Sequence, residues 1–274
     1  MIGWLIFDVC NPLQHEALEQ AQLKGHRDMH RESHPPNHAP VSDDKRAAAR
    51  PHLHGQKRSA VVLAGGLSLR FGSNKALQVL AGKPLIRRVV ERVSEVTEEV
   101  VVVVARGESE AEYYTVLPSG VRVVNDDRKG KNPLVGMARG LGNAECEYAA
   151  VLACDLPFVN SEVIELLFQR ASNADAAIPR WNRRRIEPLQ AVYRRVPTLE
   201  ATLETLTPTD FSIEDMIRKL NRIAYVSVED EIATIDRELS TFFNINTRED
   251  MKVAEKMLAE KGAFLKSSKA KRDG

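Results

Sequence analysis

The chain has 274 residues, a length that suits one large domain or two small ones. Its 39 lysines and arginines balance 38 aspartates and glutamates, so no basic surface field favours nucleic acid as a partner. No apolar stretch approaches the length of a transmembrane helix, and we expect no membrane association. The three cysteines form no CxxC pair and fit neither a disulfide framework nor a thiolate zinc site, which predicts a cytoplasmic location.

Residues 1–57 differ in composition from the rest of the chain. All seven histidines fall between His15 and His54, and aliphatic residues are sparse from residue 11 onward in this segment. Because so little apolar surface cannot offset the entropy of ordering, we predict a disordered N-terminal extension. A metal-binding histidine tract is the alternative. The rest of the chain has no histidine, so acid–base chemistry there would fall to carboxylates, lysine, water or the substrate.

From residue 59 onward, predicted strands and helices alternate. The predicted strands are short apolar runs at 59–64, 98–105, 121–124, 147–155, 174–179, 189–194, 223–229 and 242–246. The predicted helices have amphipathic spacing or N-terminal signals and lie at 84–97, 134–141, 161–171, 196–206, 211–220 and 248–261. Pro84 suits a first helical turn, Ser161 a cap, and Thr247 with Asp250 a capping box. The alternation predicts an α/β domain over residues 58–262, a mostly parallel sheet wrapped by helices, followed by a polar tail at 263–274.

A glycine-rich segment directly follows the first predicted strand. Gly65 and Gly66 allow close backbone approach to an anion and a positive φ, and Gly72 follows in the same loop. Arg70 and Lys75 add a guanidinium fork and an ammonium point charge. The spacing matches neither the Walker A nor the G-x-G-x-x-G pattern. An ordinary strand-to-helix turn is the alternative, but the added charges favour a phosphate-binding loop.

Carboxylates follow two other predicted strands at the same edge of the sheet. Asp155 ends the fourth strand, where a carboxylate would suit Mg²⁺ in a phosphoryl site. A turn or cap aspartate ahead of Pro157 is the alternative. Asp126 follows the third strand and could accept hydrogen bonds from a nucleobase or ribose, although the residues alone favour an ordinary polar turn.

Polar residues elsewhere admit two interpretations each. Asn244 and Asn246 could hold a substrate through amide hydrogen bonds, or could form a turn and an N-cap. The basic run Arg183–Arg185 could contact an anionic substrate or form a solvated loop. Cys154 is expected to be a buried core residue rather than a nucleophile, since no histidine is available to activate it.

Taken together, these motifs resemble a known family. LAGGLSLRFGSNKAL at 63–77 is similar to the L-A-G-G-x-S-x-R-M-G-x-D-K signature of the molybdenum cofactor guanylyltransferases, which are MobA-like nucleotidyltransferases. The likeness continues in order with GKPL (82–85), NPLVGM (132–137), ACDLPFV (153–159), EPLQAVY (187–193) and FFNINTREDM (242–251). It covers roughly residues 58–262. It implies a Rossmann-like three-layer α/β/α fold, and transfer of GMP from Mg-GTP to the terminal phosphate of molybdopterin with release of pyrophosphate.

The resemblance also implies roles for individual residues. Nucleotide contacts would come from Leu63, Ala64, Gly65, Gly66, Gly72, Lys75, Asp126 and Asp155. Catalytic roles would fall to Arg70, Lys75 and Asp155, with Asp155 as the metal ligand. The pterin side would include Pro133, Leu134, Gly136, Asn244 and Asn246. The expected cofactor is Mg²⁺, with Mn²⁺ as the alternative, and the expected partners are GTP, molybdopterin and molybdoenzyme maturation proteins.

Departures from the signature keep other functions open. Asn74 stands where the family has aspartate, which removes one charge near the metal, and Asn132 stands where it has glycine. Related enzymes that use CTP usually carry alanine at the position of Gly65, so this glycine favours GTP. The alternatives are a nucleotidyltransferase that uses CTP with molybdopterin, or GTP with a cobamide-precursor or phospholactate acceptor. A catalytically weak nucleotide-binding or regulatory protein is a further alternative.

Overall fold

The computed structural model describes residues 57–65, 74–126, 132–182, 185–206 and 212–270, with side chains up to residue 260. The predicted disordered extension up to residue 56, and the loop residues Gly66, Arg70 and Gly72, lie outside the described residues.

Strands and helices alternate along most of the described chain. The strands are β1 (Arg58–Leu63), β2 (Val79–Leu80), β3 (Lys83–Pro84), β4 (Glu99–Val104), β5 (Arg122–Asn125), β6 (Tyr148–Ala153), β7 (Ala176–Trp181), β8 (Arg185–Ile186), β9 (Gln190–Arg194) and β10 (Ile223–Ser227). The α-helices are α1 (Leu85–Val93), α2 (Glu110–Val116), α3 (Pro133–Asn143), α4 (Ser161–Ala171), α5 (Arg195–Thr205), α6 (Ile213–Arg218) and α7 (Arg248–Ala270). Short 3₁₀ turns occur at Lys75–Leu77, Ile232–Thr234 and Ser240–Phe242.

The central sheet is mixed, with more parallel than antiparallel neighbours along its main path. Its order is β10-β7-β9-β6-β1-β4-β5, with β8 beside β7. β1 pairs in parallel with β4 and β6, as do β4 with β5 and β7 with β10. β9 runs antiparallel between β6 and β7. The carboxyl ends of the parallel strands therefore meet at one edge, and β9 begins there, as the sequence predicted for a ligand site.

Two cores cover the two faces of this sheet. On β1, Ala60 and Val62 are fully buried in a core that includes α1 and α4. Val61 and Leu63 face the opposite core, which includes α3, α5 and α6. Successive side chains of a strand point to opposite faces, so a central strand buried on both sides reads as a continuous apolar run. The predicted three-layer α/β/α architecture is confirmed.

The helix starts agree with the predicted signals at one position and differ at two. α1 begins at Leu85 rather than at Pro84, because Pro84 belongs to β3 and is the N-cap of the helix. At the start of α7, Thr247 N–H donates to Asp250 Oδ2 at 2.8 Å and Asp250 N–H donates to Thr247 Oγ1 at 3.1 Å, which is the predicted capping box. The predicted cap at Ser161 is wrong, because Asn160 caps α4 by accepting a hydrogen bond from the Glu162 N–H at 2.9 Å.

Several short elements escaped prediction, and α7 is longer than expected. α2, the β2–β3 hairpin and β8 are short, and α2 buries only Tyr113, so none has the repeated apolar spacing that prediction needs. α7 continues to Ala270, beyond the predicted end at residue 261. No helix within the described ranges is long and apolar enough to cross a membrane.

The predicted strand at 242–246 is wrong. Phe242 closes a 3₁₀ turn, and the segment that follows joins no sheet. Its backbone instead bonds to the loop after β6, where Ile245 N–H donates to the Asp155 carbonyl at 3.0 Å. Phe243 and Ile245 are buried in a small third core with α7. The apolar alternation that indicated a strand therefore reflects packing against α7 rather than strand pairing.

A glycine contact between α3 and β1 gives the first prediction. A Cβ at Gly140 would lie 2.2 Å from Val61 Cγ1, whereas one at Gly142 would meet no described atom of another element within 4 Å. We expect Gly140→Ala to lower the free energy of unfolding by about 1–3 kcal/mol through overpacking. Gly142→Ala is the control and should be neutral or stabilising by up to about 1 kcal/mol, as for alanine in a helix. Urea unfolding measures both, and equal effects would contradict this packing contact.

Candidate active site

Three of the predicted residues meet at the carboxyl edge of the sheet. Lys75 Nζ donates to Asp155 Oδ2 at 2.7 Å and to Asn246 Oδ1 at 2.8 Å. The side chains of Lys75 and Asp155 are only 15% and 17% exposed. Asp155 lies 80 positions, and Asn246 171 positions, from Lys75 in sequence, so the fold alone joins them. A charge-assisted hydrogen bond of this length fixes the ammonium at the place where β6 ends.

Backbone hydrogen bonds hold each of these three residues. Lys75 begins a 3₁₀ turn that Asn74 caps, with Asn74 Oδ1 accepting from Ala76 N–H at 3.0 Å. Asp155 is held through its carbonyl, as described above. Asn246 N–H donates to Asp250 Oδ2 at 2.8 Å, so the capping box of α7 also sets the asparagine.

The second oxygen of Asp155 suits a divalent metal ion. Asp155 Oδ1 is buried and has no hydrogen-bond partner among the described residues. A buried carboxylate oxygen without a partner is unfavourable, and oxygen is the ligand that Mg²⁺ prefers. The described residues contain no cluster of three His, Cys, Asp or Glu side chains that could hold a metal ion. A metal at Asp155 would therefore depend on substrate phosphates and water for its other ligands, as is usual for Mg²⁺ in phosphoryl sites.

The end of β1 explains why Gly65 is a glycine. A Cβ at Gly65 would lie 3.2 Å from the Ala105 backbone nitrogen and 3.3 Å from its Cα, which is tighter than most such contacts. Leu63 and Ala64 are buried beside it. Their backbones continue the pairing with the neighbouring strands: Leu63 O accepts from Cys154 N–H at 3.1 Å, and Ala64 N–H donates to Val103 O at 2.8 Å. The close approach at Gly65 is thus to the residue after β4, and the predicted approach to an anion stays a prediction. The predicted positive φ is wrong for Gly65.

Asp126 lies at the same edge but apart from the Lys75 cluster. It follows β5, and its N–H donates to Val104 O at 2.9 Å. β5 is three strand positions from β6 in the sheet, which corresponds to roughly 14 Å at the usual spacing of strands. A ligand that touched both Asp126 and Asp155 would therefore be extended across the strand ends, as a nucleoside triphosphate can be.

The turn that opens α3 has a partly structural role. Pro133 is the first residue of the helix, and Asn132 caps it by accepting a hydrogen bond from Leu134 N–H at 2.8 Å. Leu134 is fully buried in the core, and a Cβ at Gly136 would lie 3.1 Å from Leu63 Cδ2. The Leu134 side chain is thus unavailable to a substrate, although its backbone remains available. Asparagine in place of the expected glycine fits because it acts as the cap.

The predicted pair Asn244 and Asn246 is only partly explained. The two residues alternate with buried Phe243 and Ile245, so they are half-buried on the other side of the segment. Asn246 contacts Lys75, whereas a contact of Asn244 with substrate stays a prediction.

A group of residues at the end of β7 was missed as a unit by the sequence analysis. Trp181 Nε1 donates to Glu187 Oε1 at 2.8 Å, and Arg185 pairs with the same oxygen at 2.8 Å. The Trp181 ring packs edge-on against Phe242, with centroids 5.3 Å apart. Burial raises the pKa of the Glu187 carboxyl, and nearby Arg185 opposes that rise. The EPLQAVY segment was the sequence signal for this region, but the sequence could not show that its glutamate accepts a hydrogen bond from Trp181. Arg183 and Arg184 lie outside the described residues.

Buried polar contacts support the segment that carries Asn246. Thr241 Oγ1 accepts hydrogen bonds from Gln190 Nε2 at 2.6 Å and from Asn160 N–H at 3.2 Å. Thr241 N–H donates to Asp236 Oδ2 at 2.7 Å. These bonds replace the strand pairing that the sequence predicted here and fix the segment against β9 and α4.

Cys154 has the core role that the sequence predicted. Its side chain is buried, and burial raises the pKa of the thiol to about 12. A thiol with so high a pKa is a poor nucleophile at neutral pH.

Comparisons with known proteins show the family to which the chain belongs. Residues 60–223 match the family model of the MobA-like NTP transferase domain. The chain belongs to this family. A protein of Methanosarcina acetivorans named "Probable molybdenum cofactor guanylyltransferase" is 40% identical to it over 202 residues, covering 72% of this chain and 89% of the relative.

Solved structures of the MobA-like family and its neighbours have the same fold. Molybdopterin-guanine dinucleotide biosynthesis protein A from Archaeoglobus fulgidus aligns with a TM-score of 0.63 and 31% identity, covering 74% of this chain and 99% of that protein. The 4-diphosphocytidyl-2C-methyl-D-erythritol synthase of Anaerococcus prevotii aligns with a TM-score of 0.60 at 15% identity, covering 76% and 98%. The second likeness concerns the fold alone.

The ion pair gives a prediction that needs no nucleotide. Lys75→Ala would leave the Asp155 carboxylate buried without its cation, whereas Asp155→Asn would leave Lys75 an amide oxygen to bond. We expect Lys75→Ala to destabilise the fold by about 1–3 kcal/mol, because the Asp155 carboxylate would lose the hydrogen bond from Lys75. Asp155→Asn should cost less, because Lys75 would keep two neutral oxygen acceptors, the new amide oxygen and Asn246 Oδ1. Urea unfolding of the two variants measures the difference. A larger loss for Asp155→Asn would mean that the carboxylate supports packing rather than a ligand.

Proposed function

We propose that the protein transfers GMP from Mg-GTP to the terminal phosphate of molybdopterin, forming the guanine dinucleotide cofactor and releasing pyrophosphate. The observation that carries this proposal is the cluster of Lys75, Asp155 and Asn246 at the strand ends of a MobA-like domain. The names of the relatives support the choice of GTP and molybdopterin.

The nucleotide would extend along the carboxyl edge of the sheet. The backbone of Leu63, Ala64 and Gly65, together with Asp126, would contact the guanosine at the β1 and β5 side. Lys75 would bind the phosphates beside β6. The predicted loop residues Gly66, Arg70 and Gly72 would complete the phosphate site and belong to the proposal only, because they lie outside the described residues.

Asp155 would hold the metal ion through its unpaired oxygen Oδ1. We propose Mg²⁺, with Mn²⁺ as the alternative, which would neutralise negative charge on the phosphates when bound. Lys75 stays next to the same carboxylate and would bring its positive charge to the phosphates whose charge changes during transfer.

The acceptor would lie on the side of Asn246. An oxygen of its terminal phosphate would attack the α-phosphorus of GTP while the bond to the bridging oxygen of the β-phosphate breaks and pyrophosphate leaves. That phosphate is ionised at neutral pH, so no protein base is needed, which agrees with the lack of histidine after residue 54. Asn244, Asn246 and the backbone turn at Pro133, Leu134 and Gly136 would position the acceptor, and alignment of two bound anions would supply much of the rate.

The setting and partners of the reaction are part of the same proposal. Cys146 and Cys154 are free thiols, which supports the predicted cytoplasmic location. Molybdoenzyme maturation proteins would receive the product, as the family resemblance implied.

A turnover assay tests the proposal directly. The chain is incubated with GTP, Mg²⁺ and molybdopterin, and pyrophosphate and dinucleotide are quantified. We expect Asp155→Asn to lower kcat/KM by about 100-fold or more, because several kcal/mol of charge stabilisation would be lost. Asp230→Asn, which changes an exposed carboxylate that accepts from Ser227, is the matched control and should retain full activity. Activity of Asp155→Asn within a few-fold of the parent would remove Asp155 from the mechanism.

Nucleotide preference gives a separate prediction. Gly65 is the position at which related CTP enzymes usually carry alanine, and its neighbourhood has little room for a Cβ. We expect GTP to bind at least tenfold more tightly than CTP, a difference of about 1.4 kcal/mol. Titration calorimetry with each nucleotide and Mg²⁺ measures this. Tighter binding of CTP would assign the chain to the cytidylyl transfer alternative instead.

A further inference from the structure

Asn74, which precedes the phosphate-binding lysine, is hydrogen-bonded to a buried tyrosine. Its Nδ2 lies 2.8 Å from the hydroxyl oxygen of Tyr113, and that oxygen lies 2.5 Å from Glu108 Oε2. Tyr113 is the fully buried residue of α2, and Glu108 lies in the loop between β4 and α2. A chain of side-chain hydrogen bonds thus connects the end of the phosphate loop to the segment after β4.

The hydrogen bonds in this chain run in one direction. Asn74 Oδ1 accepts from Ala76 N–H at 3.0 Å, which orients the amide so that its nitrogen must donate to Tyr113. The Tyr113 hydroxyl accepts that bond and gives its single hydrogen to Glu108. Burial raises the pKa of Tyr113, and the Glu108 carboxylate raises it further, so the hydroxyl keeps the proton it donates. Each donor faces an acceptor at every step.

We propose that Asn74, Tyr113 and Glu108 form a tether that holds Lys75 in place for phosphate binding, and that its hydrogen-bond direction requires asparagine rather than aspartate at position 74. The proposal rests on the nucleotide site proposed at Lys75 and adds residues that position this lysine without touching the substrate. Asn74 is adjacent to Lys75 in the chain and caps the turn that Lys75 begins, so movement of the cap would move the ammonium relative to Asp155. It also explains a departure from the signature that would otherwise suggest a weakened metal site.

The direction of the bonds makes the tether testable by exchanging donor and acceptor. Asn74→Asp would place carboxylates on both sides of the Tyr113 hydroxyl, which has one hydrogen to donate. One of the two carboxylates would then face the hydroxyl oxygen with no hydrogen between them. Glu108→Gln alone should be mild, because an amide oxygen still accepts from Tyr113. In the double variant the tyrosine can donate to the new aspartate and accept from the new glutamine amide, which restores a matched chain in the opposite direction.

The experiment is a double-variant cycle in the full chain, with the dissociation constant of Mg-GTP measured by titration calorimetry. We expect Asn74→Asp to weaken binding about tenfold, or about 1.4 kcal/mol, and Glu108→Gln to change it less than about threefold. The double variant should return to within about twofold of the parent. Glu112→Gln removes an exposed carboxylate from α2, the helix that carries Tyr113, and is the matched control. It should give no rescue when combined with Asn74→Asp.

Three binding results would overturn the tether. These are unchanged binding in Asn74→Asp, a double variant as weak as Asn74→Asp alone, or equal rescue by Glu112→Gln, which would indicate a general charge effect.

Thermal melts without nucleotide separate this proposal from the proposed function. If the parent does not bind Mg-GTP, the nucleotide proposal fails, and the positioning role of the tether fails with it. The hydrogen-bond matching is still judged by the melts, where Asn74→Asp should lower Tm by about 2–4 °C. Recovery of Tm with Glu108→Gln, but not with Glu112→Gln, would support the matching, and absence of that recovery would overturn it.

Discussion

Lys75 and Asp155 share a hydrogen bond of 2.7 Å at the point where three distant segments of the chain meet. The lysine comes from the turn after the glycine loop, the carboxylate from the end of β6, and Asn246 from the segment before α7. Because both charged side chains are mostly buried, their separation into an apolar surrounding would be unfavourable, and each holds the other in place. This pair, with Asn246 bonded to Lys75, is the centre of the candidate site.

Close packing around β1 is the second constraint on the site. Gly65 lies against Ala105, Gly136 against Leu63 and Gly140 against Val61. These glycines bring α3 and the residue after β4 close to β1 and its end. Gly65 of the signature and two glycines of α3, Gly136 and Gly140, thus have a packing role in the fold. A sequence motif that looks entirely functional has a packing reason at these positions.

The described part of the candidate site contains no histidine, and the chemistry that we propose for it depends on position and charge. The residues gathered at the strand ends are a lysine, a carboxylate and an amide, none of which needs to exchange a proton when a phosphate is the acceptor. Phosphoryl and nucleotidyl transfer depend mainly on alignment and charge stabilisation, so a rigid edge built from strand ends suits them. Buried hydrogen bonds of Thr241 with Gln190 and Asp236 help to hold the segment that carries Asn246 in place.

The sequence by itself determined the layer architecture, the mostly parallel sheet and the edge that carries the site, because apolar periodicity and chain order are local properties. It also identified Lys75, Asp155 and Asn246 as separate candidates. Only the tertiary structure decided that they touch, that Leu134 belongs to the core, and that residues 242–246 pack on α7 instead of forming a strand. It also gave Asn74 a partner in Tyr113, a residue 39 positions away on a helix too short to predict. These features depend on contacts between residues far apart in sequence. Local patterns in a single sequence do not show which distant residues come into contact.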